Sequence, residues 1–133
     1  MHPRLEEEWP LLKSHYPDLE HRDAPERIEV SLPLSPTLYN LVQTRAGVLV
    51  PAGYRATSPD SFFVPVGLQM NGGTPLPGGD GSAAGLPGWW MVSFHMLDAN
   101  GRSTWHPSAD FRKGDNMLGY LAAIEHFLAH SCN

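Results

Sequence analysis

The chain has 133 residues, 41% of them hydrophobic, which is enough for one domain with a core and too few for two. Its 9 basic and 14 acidic side chains give a net charge of −5, which argues against the basic face that nucleic-acid binding needs. No apolar run approaches the length of a membrane span. The opening MHPRLEEEWP is too acidic and polar for a signal peptide, and a single cysteine, Cys132, excludes an internal disulfide framework and fits a reducing, cytoplasmic setting.

In chain order, residues 3 to 16 read as an amphipathic helix. Pro3 suits its first turn, Glu6, Glu7 and Glu8 favour its positive end as a solvated acidic start, and Leu5, Trp9, Leu12 and Tyr16 form one apolar stripe. Pro10 lies inside that stripe, which allows a kink or a later start. Residues 27 to 34 alternate apolar and polar through Ile28, Val30, Leu32 and Leu34, the pattern of a half-buried strand. A second strand lies within 39 to 50, most clearly at 47 to 50, and Pro51-Ala52-Gly53 marks a turn before Tyr54. After Pro59-Asp60, residues 61 to 66 make a short third strand. Residues 71 to 88 hold seven Gly and three Pro among 18 positions, and at that density the sequence predicts one long loop without regular structure. Its glycines lack the lysine and following helix of a phosphate cradle.

Residues 89 to 98 are apolar on both sides, as in a central strand covered by a helix. Asn100-Gly101 is a hairpin-type turn. A last helix spans about 115 to 130, capped by Asp115 or Asn116, with Met117, Leu121, Ile124 and Leu128 as its buried stripe and Tyr120 and Phe127 beside it. The expected fold is therefore a single α+β domain over 1–133: an N-terminal helix, a four-stranded antiparallel meander and a C-terminal helix.

Ordered pieces of the chain carry a family resemblance: Leu32-Pro33-Leu34 with Tyr39-Asn40; Val48-Leu49-Val50-Pro51 with Gly53-Tyr54, Pro59-Asp60 and Phe62; Trp90 with Ser93 and His95; then Trp105, Pro107 and Asp110. This set, covering roughly residues 28 to 130, resembles the ubiquitin-conjugating (UBC-like) superfamily, in its prokaryotic family E. The resemblance implies that Pro51, Gly53, Tyr54, Pro59, Asp60, Trp90 and Trp105 are structural motif residues, with Tyr54 packed under a strand and Trp105 packed between the active-site region and the following helix. A conjugating enzyme also needs a cysteine after the fourth strand, which takes ubiquitin as a thioester. The resemblance sets Met96 in its place, and a thioether forms no thioester. Cys132, the only thiol, follows the last helix.

Three polar groups remain near that position. His95, His106 and Asp110 can form an acid/base or metal-binding cluster at the mouth of the former active site, or simply bond loop backbone; their spacing matches no standard zinc motif. His126 and His130, four apart, can chelate a metal or complement a helix C-terminus. No cofactor and no metal is expected. The resemblance implies a protein of a bacterial ubiquitin-like modification system that binds a ubiquitin-like protein or its activating enzyme without catalysis. The alternatives are an active conjugating enzyme using Cys132 or an unconventional residue, and a small His/Asp-dependent enzyme.

Overall fold

The computed structural model describes residues 1–74, 76, 79–82 and 86–130, with 79–82 described by backbone alone. Helix α1 (Pro3–His15) comes first. Strands β1 (Glu20–Arg22), β2 (Arg27–Pro33), β3 (Gln43–Leu49), β4 (Phe62–Pro65), β5 (Gly79–Ser82) and β6 (Trp89–Val92) follow, and helix α2 (Met117–His130) closes the described chain. The strands form one antiparallel sheet in the order β1-β2-β3-β4-β6-β5.

The class is α+β with a helix at each end, but the sheet has six strands where the sequence predicts four, and it is not a simple meander. Both extra strands are edges. β1 reads Glu-His-Arg and offers no apolar alternation; it pairs with β2 through its backbone. Its Glu20 is anchored by Arg45 at 3.0 Å and Arg22 at 2.6 Å. β5 lies inside the Gly/Pro-rich stretch expected to be irregular. A ladder needs only backbone donors and acceptors, and β6 presents a row of them, so Gly79 pairs opposite Val92 and Ser82 opposite Trp90 across a register shift. As a result β4 pairs with β6, while β5 is displaced to the outside.

Alternation along the strands sorts side chains to two faces. Ile28, Val30, Leu32, Ala46, Val48, Phe62, Val64 and Val92 are buried in the main core, joined by Leu5 and Leu12 of α1 and by Met117, Leu121, Ile124 and Leu128 of α2. Phe63, one residue out of phase with Phe62, belongs instead to a smaller cluster with Leu86, flanked by Leu49, Trp89 and Met91. The Tyr39 hydroxyl donates to the Leu128 carbonyl at 2.5 Å and fastens α2 to the segment before β3.

The helix boundaries follow local chemistry. α1 is capped by His2, whose Nδ1 accepts from the Arg4 N–H at 3.1 Å, with Pro3 at the first position. The helix continues through Pro10, which is exposed and offers the Glu6 carbonyl no N–H. α2 begins at Met117, not at 115. Asn116 is its cap, accepting from the Gly119 N–H at 2.9 Å, while the Asp115 carboxylate accepts the His106 N–H at 2.7 Å.

Candidate functional site

The strand predicted over 89–98 ends at Val92, and the early ending builds a site. Beyond it the chain leaves the ladder, and the Phe94 carbonyl accepts the Ser61 N–H at 2.9 Å. The Tyr120 hydroxyl of α2 sits 3.1 Å from the Ser61 carbonyl and 3.3 Å from the Phe94 carbonyl, and so clasps both segments from below. Phe94 also packs edge-on against Tyr120, Phe62 and Phe127. Burial, with the Asp60 carboxylate as a second cause, raises the Tyr120 hydroxyl above its ordinary range, so it remains a donor.

The residues next to this clasp are Asp60 and His95. Locking Ser61 to Phe94 brings them together, and His95 Nδ1 lies 2.5 Å from Asp60 Oδ1. Both side chains are accessible, at 47% and 71%. They line a cleft of about 290 Å³ together with Thr57, Ser58, Met96 and Ser103. The cleft's far wall is made where Leu97 bridges to Ser103. Between them the predicted Asn100-Gly101 turn is closed by Asp98, whose carboxylate accepts from the Asn100 and Arg102 N–H groups. Met96 is half-buried and packs on the core.

The predicted trio of His95, His106 and Asp110 is not joined: among the described residues no hydrogen bond or ion pair links His95 to the other two. The His106 carbonyl accepts the Asp115 N–H and the His106 N–H donates to the Asp115 carboxylate, while Asp110 turns its own loop by accepting the Arg112 N–H at 3.0 Å. This loop is tight. A side chain on Gly114 would meet the His106 carbonyl and the Ser108 nitrogen at 2.7 Å.

Behind the cleft stands the aromatic pair of Tyr54 and Trp105, both buried, with ring centroids 6.2 Å apart. The Tyr54 N–H closes a turn onto the Pro51 carbonyl at 3.0 Å, and the Trp105 indole donates to the Arg55 carbonyl at 2.7 Å. A Cβ on Gly53 would lie 2.7 Å from the Thr57 hydroxyl. Pro59 is buried. Trp90 is half-buried and lines a separate cleft of about 150 Å³ with Leu68 and Leu76.

Beneath Tyr54 lies a group that sequence reasoning placed in solvent. Glu8 is 1% exposed. Its Oε2 accepts from Arg4 Nε at 2.9 Å and from the Tyr54 hydroxyl at 2.8 Å, and its Oε1 accepts from the Met117 N–H at 2.7 Å. The Arg4 guanidinium in turn donates to the Ser108 carbonyl at 2.6 Å and the Ala109 carbonyl at 3.2 Å. One carboxylate thus joins α1, the Tyr54 turn and the N-terminus of α2, where negative charge is favoured. Burial, followed by the Glu8 charge, pushes the Tyr54 hydroxyl far above its ordinary range. Arg4 and Glu8 at helical spacing with Leu5 and Leu12 was the available signal: a polar pair on the apolar stripe.

His126 and His130 are exposed, with ring centroids 4.3 Å apart, and His130 Nδ1 lies 2.9 Å from the His126 carbonyl. Among the described residues no group of three or more His, Cys, Asp or Glu side chains is placed to hold a metal ion. Cys132 lies outside the described residues. No described helix is long and apolar enough to cross a membrane. The chain matches no protein-family model, and neither a curated protein nor a solved structure matches it.

Proposed function

We propose that this chain is a UBC-like binding protein of a bacterial ubiquitin-like modification system. It engages a ubiquitin-like protein or its activating enzyme and forms no thioester. The observation that carries the reading is the packing of Tyr54 against Trp105, their rings tilted by 41° and 6.2 Å apart, together with the cleft that Met96 lines. Of the residues that the resemblance makes architectural, Tyr54, Pro59 and Trp105 are buried, and Met96, which the resemblance sets at the cysteine's place, is a thioether. Thioester formation needs a thiolate attacking an activated acyl group. Methionine has no proton to lose and would leave a sulfonium, so Met96 cannot take up the cargo. What remains for such a protein is recognition.

The test is a charging reaction on the full chain with ATP, an activating enzyme and a ubiquitin-like protein from the same genome, resolved without reductant. No thiol-sensitive adduct is expected. An adduct that disappears in Cys132→Ser would make the chain an active conjugating enzyme instead.

A further inference from the structure

The last turn of α2 carries two side chains that neither the core nor the binding reading uses. We propose that His126 and His130 form a two-histidine chelate for a divalent metal ion of tetragonal habit, Ni(II) or Cu(II) in preference to Zn(II). This does not depend on the UBC-like reading.

Residues four apart on a helix share one face, a turn from each other. α2 runs to His130, and both rings are exposed, with their centroids 4.3 Å apart. The His130 ring is oriented by a hydrogen bond that only one direction satisfies. Its Nδ1 lies 2.9 Å from the His126 carbonyl, and a carbonyl accepts only, so the neutral imidazole bears its proton on Nδ1 and its lone pair on Nε2. A backbone carbonyl on the other ring nitrogen is a common way of holding a metal-binding histidine. Among the described residues no hydrogen bond or ion pair holds the His126 ring, so it is free to turn toward the same ion. Charge also favours a cation here. The pair lies at the end of the helix, where the dipole is negative, and α2 carries Glu125 but no Lys or Arg.

The choice of metal follows from the spacing. With metal–nitrogen bonds of about 2.0–2.1 Å, two imidazoles on one ion set their centroids about 4.5 Å apart at a right angle and about 5.2 Å apart at the tetrahedral angle. The 4.3 Å between these rings is close to the first value. A right angle separates neighbouring positions in the tetragonal sites of Ni(II) and Cu(II), whereas protein-bound Zn(II) is mostly tetrahedral. Imidazole nitrogen suits both of the former metals, and both stand near the top of the affinity order of divalent first-row ions. The two rings fill two adjacent positions. No third His, Cys, Asp or Glu is placed to join them among the described residues, so water or a ligand from outside takes the others. Only neutral imidazole offers its lone pair, so binding competes with protons and weakens in acid.

The experiment is isothermal titration of the full, untagged chain with nickel chloride near neutral pH in a non-coordinating buffer. Wild type is expected to bind one Ni(II). His126→Ala and His130→Ala are each expected to bind at least about tenfold more weakly, because the second imidazole acts at the high local concentration of a short tether. His130→Ala combined with Ala122→His rebuilds the spacing one turn earlier, at an exposed position, and should restore most of the affinity. His2→Gln, His95→Gln and Cys132→Ser should bind as wild type does. Circular dichroism confirms folding of each variant. A wild type that takes up no Ni(II) overturns the proposal, as does a His126→Ala variant indistinguishable from it. Loss of the site in His2→Gln, His95→Gln or Cys132→Ser overturns it by placing the metal elsewhere, and tighter binding of Zn(II) than of Ni(II) overturns the tetragonal assignment. None of these outcomes bears on partner binding, which needs no metal.

Discussion

Replacing Glu8 by alanine removes the one carboxylate on which three donors from three parts of the chain converge. The Arg4 guanidinium, 5% exposed, is left as a buried charge without a counter-ion, and the Tyr54 hydroxyl and the Met117 N–H lose their acceptor. Breaking a buried pair from one side costs about 3–5 kcal/mol. The orphaned donors overlap with that figure, because the same collapse or water entry serves them all. For a domain of this length such a loss lowers Tm by about 10–18 °C. It is a large share of the total stability of a typical domain, about 5–15 kcal/mol. Urea unfolding followed by tryptophan fluorescence measures it directly. The double variant Arg4→Met, Glu8→Leu removes both charges together and is expected to recover part of the loss, the unpaired buried charge, while the Tyr54 hydroxyl and the Met117 N–H still lack their acceptor. A Glu8→Ala loss below about 1 kcal/mol, within the range of an exposed ion pair, would refute the reasoning. It would mean that water reaches Arg4 and that the three elements are not held by this group.

Three further outcomes follow from the geometry. Gly114→Ala should destabilise by about 1–3 kcal/mol in the same unfolding assay, because the contacts at 2.7 Å are backbone atoms that cannot swing aside. Tyr120→Phe should cost about 1–2 kcal/mol by leaving the Ser61 carbonyl without its donor, and amide exchange should show the 93–98 segment opening more often. For Glu26, burial acts to raise the carboxyl, but the His2 N–H, His21 and the N-terminal ammonium outweigh it, so it titrates below its ordinary 4.5. A depressed carboxyl contributes stability that is fully present above 4.5 and is lost as pH falls through its folded value. Glu26→Gln should therefore be less stable than wild type at pH 7, with the difference closing in acid, as read from Tm against pH.

The two helices and the strands at 27–33, 43–49 and 62–65 were legible because each buries a stripe or alternation of large apolar residues, as Ile28, Val30 and Leu32 do. β1 and β5 were not legible, since Glu-His-Arg and a glycine-rich segment join the sheet through backbone pairing alone, and backbone hydrogen bonds leave no mark on side-chain pattern. The stretch after Val92 misled for the opposite reason. Phe94 and Met96 are apolar because they pack on the helix side of the core, not because they continue a ladder. At the site, His95 stood out from the sequence, but its partner is Asp60, not His106 or Asp110, because contact across 35 residues is set by the Ser61–Phe94 bond. Glu8 looked solvated among Glu6 and Glu7, yet its place on the stripe with Leu5 and Leu12 turns it inward, where Tyr54 and Arg4 receive it.

The central claim is recognition without thioester chemistry, and isothermal titration of the full chain with the ubiquitin-like protein and, separately, with the activating enzyme from the same genome tests it most directly. The account predicts saturable binding to at least one of them, unchanged in Cys132→Ser and weakened by Met96→Asp at the cleft. Flat titrations with both proteins would contradict it.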